Sequence, residues 1–506
     1  MNKRSADHLA LALALIAFAA SAVLSFCVFD RIPHLEDEYA LLWQAEIMAD
    51  GRISLPTPAF ASSFMIPFVI DAQGQRFGKY PPGWPGALSI GARVGAPWMV
   101  QAVLSSLSVW LIYRLGQKLA SSRVGLIAAG LSVLSPIFLM QSSTLLAHMF
   151  TLFLSLVFLH AWLDLFILAD TPSVPEGLLA VVGGSSMGLL GITRPWTAIA
   201  VALPAFLHGL FLLCRGTDRQ RKHILLIGFI AAGIGALLFV WQAALTGDPL
   251  QDGYTLWWAY DRLGFGPEHG PLESGHTLAV GWANTSFSLM TGTHDLFGWP
   301  YLSWLFLPAG FWALRRKPAA WFAFAVFPAL VLLYLGYWTG AWLLGPRYYF
   351  EGLPGLAVVS AAGIDWLLRR AGTSSRPALA RLGIIGLFVL LVSGNVVWYL
   401  PSRLTGLVNL YGITRETIDR FRDPELEPGL IIVHSSRWMP YANLTLLGYP
   451  FSDRNLDVAL NQGREVDAAL AAGYHQNGES VYHYYTDRPD ALLQEMINED
   501  TGEMEE

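Results

Sequence analysis

Runs of about twenty apolar residues govern what this chain can fold into. A helix needs roughly 20 mostly apolar residues to cross the ~30 Å hydrocarbon core of a bilayer. Eleven stretches approach that length: about 8–29, 86–113, 123–140, 144–164, 177–193, 196–214, 223–245, 297–314, 319–340, 353–368 and 382–400. Only 14% of the 506 residues are charged, against about 25% in soluble domains, which excludes an ordinary water-soluble enzyme. A net charge of −6 gives no basic footprint, so no nucleic-acid partner is expected. Cys27 and Cys214, both in apolar runs, cannot build a disulfide framework or a zinc knuckle. The first stretch follows Asn2-Lys3-Arg4. It is longer than a signal-peptide core and has no small-residue cleavage site before Asp30, so it reads as a retained helix.

Placing the N-terminus inside and alternating puts residues 1–7, 114–123, 165–176, 215–222, 315–318 and 369–381 on the inner side. Those short segments hold half of the 32 Lys and Arg residues, as the positive-inside rule requires of cytoplasmic loops. Segment 165–176 contributes none. Three long segments then fall outside, about 30–85, 246–296 and 401–506. Residues 246–300 are rich in Gly, Trp and His. The tail reads as a small α/β domain, with strands at Leu430–Val433 and Ser480–Tyr484; Asp457–Leu460 and Glu465–Ala472 could each be strand or helix. The expected division is a membrane domain over 1–400 and an extracytoplasmic domain over 401–506.

Candidate chemistry lies in the outer segments. His34-Leu-Glu-Asp-Glu-Tyr39 precedes helical periodicity and suggests a short surface helix, with Asp37 and Glu38 at its N-terminus. Acids there complement the helix dipole, and a carboxylate at a membrane boundary is also placed to take a proton from a hydroxyl. Gln75-Arg-Phe-Gly-Lys79-Tyr-Pro-Pro-Gly-Trp-Pro85 reads as a shaped loop entering the second span. Its Lys79 is either an interfacial anchor or a phosphate ligand. Thr193-Arg194-Pro195-Trp196 and Gly345-Pro-Arg347-Tyr-Tyr-Phe-Glu351 carry arginines on the outer side, against the positive-inside trend. Ionisable groups at membrane depth are functional candidates by default, and the guanidinium fork suits phosphate oxygens. Arg347 could instead pair with Glu351, four residues on. His148 is a core histidine or a site residue. A P-loop, GxGxxG, HExxH and Asp-x-Asp pair are all absent.

Together these segments resemble the GT-C superfamily of integral membrane glycosyltransferases, which includes the protein O-mannosyltransferases, the aminoarabinose transferase of lipid A and RgtA/B/C/D-like enzymes. The resemblance covers about residues 1–400. It rests on Asp37-Glu38, Lys79-Tyr-Pro-Pro, Ser135-Pro136 followed by His148, Thr193-Arg194-Pro195, and Gly-Pro-Arg347-Tyr-Tyr with Pro354. It implies an all-α polytopic bundle of about eleven transmembrane helices with a small C-terminal α/β domain, in a bacterial plasma membrane. It also implies inverting transfer of a hexose or pentose from a polyprenyl-phosphate-linked donor to a glycan, glycolipid or protein acceptor, on the extracytoplasmic face. Asp37 then matches the general base, with Glu38 beside it. Lys79, Arg194 and Arg347 match donor-phosphate positions. Tyr80, His148, Tyr348 and Tyr349 are contacts to donor or acceptor. Two positions depart from the pattern. Gly78 stands where some relatives carry an acid before the Lys-Pro-Pro element, and His148 stands where many have an acid. No metal-ligand set is assigned, and a divalent metal is left open. The rival reading is a secondary transporter or flippase, which predicts inverted repeats around a midplane site; none is visible.

Overall fold

The computed structural model describes residues 2–168, 174–422, 426–452, 456–488, 492–494, 496–497 and 504–505. From the N-terminus run α1 (Lys3–Cys27), α2 (Glu36–Ala49), β1 (Leu55–Pro56), β2 (Val69–Ala72), β3 (Gln75–Gly78), α3 (Gly83–Ala92), α4 (Pro97–Leu119), α5 (Ser122–Val133), α6 (Pro136–Ser143), α7 (His148–Phe166), α8 (Glu176–Gly191), α9 (Pro195–Arg215), α10 (Asp218–Gly235) and α11 (Leu237–Thr246). Next come α12 (Gly253–Trp257), α13 (Leu278–Asp295), α14 (Leu307–Leu314), α15 (Pro318–Tyr334), a 3-10 turn at Arg347–Gly352, α16 (Leu353–Ala371) and α17 (Pro377–Gly394). A π turn at Asn395–Tyr399 leads on to α18 (Leu400–Thr405). The tail holds α19 (Arg415–Arg420), β4 (Gly429–His434), α20 (Trp438–Thr445), β5 (Leu456–Leu460), α21 (Arg464–Gln476), β6 (Ser480–Tyr485) and β7 (Leu492–Gln494).

The chain is a mostly helical, multi-pass membrane protein. Among the described residues seven helical stretches are individually long and apolar enough to cross a bilayer, and the α5–α6 pair makes an eighth if counted as one. α8 and α15 are apolar but shorter. Several expected runs are broken. The run 86–113 divides into α3 and α4, and 123–140 bends by 61° between α5 and α6. Pro97 and Pro136 open the second helix of each pair, where a missing N–H leaves no bond unmade. The run 297–314 is helical only from Leu307, and the segment 246–296 contains the 18-residue helix α13.

Small residues set the helix packing. Ala6, Ala10, Ala14, Ala17, Ser21 and Ser25 form the buried stripe of α1, which packs on α4. Close approach of backbones is how helices associate where lipid gives no hydrophobic drive. A Cβ on Gly188 of α8 would lie 2.6 Å from the Ile234 Cβ of α10, so only glycine admits that contact. Leu9, Leu15, Phe229 and Leu390 are exposed, as lipid-facing positions should be.

Ion pairs show which helix ends share a face. Lys118 at the end of α4 pairs with Asp164 near the end of α7 at 2.7 Å. Arg123 and Arg369 both pair with Asp365. The basic segments around these helix ends therefore gather at one face, and the candidate site lies away from it, where α7 and α16 begin.

A cap covers the site. β3 pairs antiparallel with β1 and β2. Gln73 and Gly74 both have positive φ, 52° and 76°, as a two-residue hairpin turn requires. The hairpin delivers Lys79 and Tyr80 directly after β3, so residues 75–78 are a strand, within what reads in sequence as loop. In the tail, β5, β4 and β6 are parallel, with β7 antiparallel at the edge. Residues 457–460 are strand and 465–472 are helix. The tail packs onto the cap: the Leu460 amide donates to the Ser63 carbonyl at 2.6 Å, and the Arg415 amide donates to Asp30 at 3.1 Å.

Candidate active site

α2 presents three acids in succession at its N-terminus, and the fold sends them in different directions. Glu38 turns inward and is 1% exposed. One of its oxygens accepts the amides of His34 (3.0 Å) and Leu35 (3.1 Å), and the other accepts Leu145 N at 2.5 Å. Leu145 lies in the non-helical break between α6 and α7, where Trp84 Nε1 also donates to the Leu145 carbonyl and Gln101 to the Leu146 carbonyl. Irregular backbone at membrane depth needs such partners. Glu38 is thus a clamp for that break and does not line the cavity, contrary to its expected place beside a base. Burial pushes its carboxyl up to about 7. Glu38→Ala should orphan three buried amides and cost roughly 3 kcal/mol or more of stability, read as a lowered melting temperature in detergent.

Glu36 and Asp37 face a cavity of about 290 Å³. Asp37 Oδ2 accepts Arg347 Nη1 at 3.1 Å, and its other oxygen accepts the Tyr80 hydroxyl. Burial, with the adjacent Asp37, pushes the Glu36 carboxyl up. Arg347 opens the 3-10 turn, after Gly345 with φ +77°. It pairs with Asp37, 310 positions away in sequence, and not with Glu351. Glu351 is buried beneath the cavity, where it accepts Arg194 Nη1 at 3.2 Å and the Thr151 hydroxyl.

Arg194 stands at the N-cap of α9. Besides Glu351 it donates to His148 Nδ1 at 2.7 Å and to the Tyr334 hydroxyl at 3.1 Å. Tyr348 stacks on Tyr334 with ring centroids 4.8 Å apart. Lys79 Nζ donates to Asp261 Oδ2 at 2.9 Å, and Asp261 Oδ1 accepts Tyr337 OH (2.8 Å) and Trp338 Nε1 (2.9 Å). The Lys79 ammonium lies 4.2 Å from the Phe68 ring centroid and 4.7 Å from that of Trp258.

Asp37, Lys79, Tyr80, His148, Arg194, Arg347 and Tyr348 therefore line one cavity. Tyr349 does not; it is buried against Phe327. Sequence reasoning missed Asp261, Tyr254, Tyr334 and Tyr337, although Asp261 is an acid in the aromatic-rich segment 246–300. It also missed Trp438, which lines the cavity from the tail and stacks on Trp257. A second cavity of about 410 Å³ adjoins the first and shares Lys79, Tyr80, Tyr254, Asp261 and Tyr337 with it. Its remaining wall includes Leu238, Trp241 and Leu245.

Among the described residues no group of three or more His, Cys, Asp or Glu side chains gathers as a metal cage. Both oxygens of Asp37 are already engaged. The side chains present do not fit a divalent ion at Asp37.

No protein-family model matches the chain, and no curated protein matches it in sequence. Solved structures do match. ArnT from Cupriavidus metallidurans bound to undecaprenyl phosphate superposes with a TM-score of 0.59 at 14% identity, covering 93% of this chain and 92% of that one. The chain shares the fold of ArnT. AglB, the oligosaccharyltransferase of Archaeoglobus fulgidus, in complex with an inhibitory peptide and a dolichol-phosphate, gives a TM-score of 0.51 at 14% identity, over 94% of this chain and 69% of that one. The apo form of the Archaeoglobus enzyme gives 0.52 over the same shares. At 93–94% of this chain, these likenesses extend past residue 400 into the tail.

Proposed function

We propose that the protein is an inverting membrane glycosyltransferase. It moves a sugar from a polyprenyl-phosphate-linked donor to an acceptor hydroxyl on the extracytoplasmic face. The observation that carries this reading is the direct contact of Asp37 with Arg347 in a cavity where three basic side chains, from three distant segments, converge. A carboxylate beside cations is what displacement at an anomeric carbon from a lipid phosphate needs. Asp37 takes the acceptor proton as the hydroxyl oxygen attacks. The bond from the anomeric carbon to the phosphate oxygen breaks, and its electron pair stays on the phosphate. Arg347, Arg194 and Lys79 offset the charge that gathers there, and the enclosed cavity strengthens each interaction. Single displacement inverts the anomeric centre. The adjoining cavity, with Leu238, Trp241 and Leu245 in its wall, takes the first isoprene units of the donor. ArnT and AglB, whose fold this chain shares, were solved with lipid phosphates. The gathering of the basic helix ends at the opposite face supports an inner N-terminus.

Native mass spectrometry of the protein extracted from its membrane tests the donor class. A retained polyprenyl phosphate, or its sugar adduct, is the expected mass. Failure to retain any such lipid, together with failure to bind added undecaprenyl phosphate, would sink the reading.

A further inference from the structure

The three cations of the cavity are all paired, and one pair differs from the other two. Arg347 and Arg194 are held by Asp37 and Glu351. Lys79 is held by Asp261, which comes from the outer segment between α12 and α13. Both side chains are almost fully buried, 3% and 2% exposed. Yet both line the two adjoining cavities, so the pair stands in the partition between them. The Nζ atom has three donors, and among the described residues only the bond to Asp261 is made; aromatic faces surround the rest. Those faces stabilise the ammonium charge without supplying an acceptor. Asp261 is fixed from behind by Tyr337 and Trp338.

We propose that Asp261 is a resident anion that stands in for the donor phosphate as the partner of Lys79. It is a positioning residue that holds Lys79 aimed at the partition until a lipid phosphate exchanges for it. This inference rests on the donor reading above. A phosphate brings several acceptor oxygens to an ammonium with two unused donors, which a single Asp261 oxygen does not satisfy. With its Tyr337 and Trp338 bonds intact, Asp261 remains anchored while Lys79 turns to the phosphate. The exchange opens the partition, so the lipid in one cavity and the sugar in the other occupy a continuous site. In the resting protein Asp261 competes with the donor, because a buried carboxylate repels an incoming phosphate and neutralises the cation meant for it.

The test is binding of undecaprenyl phosphate to the full-length protein in nanodiscs, for the wild type, Asp261→Asn, Lys79→Met and the double variant. Asp261→Asn keeps an acceptor for Tyr337 and Trp338 and removes the competing charge. It should tighten binding by about tenfold, and the gain should vanish in the Lys79→Met background. A merely structural Asp261 would weaken binding when replaced. Equal or weaker binding by a folded Asp261→Asn variant overturns the exchange while leaving the donor reading intact. Absence of binding by the wild type overturns the donor reading and the exchange with it. If Asp261→Asn does not fold, a structure of the wild type with undecaprenyl phosphate decides. Lys79 Nζ on a phosphate oxygen with the Asp261 bond broken supports the exchange, and an intact Lys79–Asp261 bond refutes it.

Discussion

Asp37→Asn should lower sugar transfer by between about 10²- and 10⁴-fold, the range that general-base catalysis contributes. Asn is isosteric and still offers an oxygen to Tyr80 or Arg347, so insertion, folding and donor retention should survive. The measurement is initial rate of transfer from a labelled polyprenyl-phosphate sugar, beside lipid retention and melting temperature. A variant with near-normal turnover removes Asp37 as the base. In that case Glu36 is the other α2 carboxylate facing the cavity, since Glu38 is committed to the backbone of the α6–α7 break. The paired Glu36→Gln variant therefore tells which of the two accepts the proton.

Arg347→Gln is expected to cost roughly 10²- to 10³-fold in kcat, the loss typical when one donor to a developing negative charge is removed from an enclosed site. Two effects combine. The leaving phosphate loses a cation, and Asp37 loses the contact that orients it at 3.1 Å. Arg347→Lys should not restore the rate, because an ammonium cannot hold Asp37 and a phosphate oxygen with the geometry of a planar fork. Steady-state analysis separates the cases: a fall in kcat supports charge stabilisation in the transition state, whereas a rise in KM alone would reduce Arg347 to ground-state binding.

Much of the fold is legible along the chain because lipid imposes a local rule. Each apolar run must close its own backbone hydrogen bonds, so α1, α7, α9, α10–α11 and α16 fall where the runs are. Breaks are less legible. A proline at Pro97 or Pro136 is compatible with a kink or with a new helix, and packing against neighbours chose a new helix. The tail's sheet was readable at β4 and β6 from buried apolar or aromatic strands. The helix α21 and strand β5 were not distinguished, because short segments fit either period.

The site was legible as residue types and not as partners. Three successive acids on a helix project about 100° apart, so one sequence motif sends Glu38 into the core and Glu36 and Asp37 into the cavity; only the docking of α2 decides which. Arg347 and Glu351 look like an i,i+4 pair. The segment is a 3-10 turn, in which i+4 lies off the face of i, and each residue finds a distant partner instead. By itself, then, the sequence determined a multi-pass helical chain with basic loops on one side and a few costly charges on the other. Apolar length and charge placement are local quantities that a membrane reads directly. Tertiary structure alone decided that Lys79 meets Asp261, that Arg194 meets Glu351 and that the tail closes the cavity with Trp438. Buried charges must find opposite charges wherever the fold brings them, and their separation in sequence sets no limit on that.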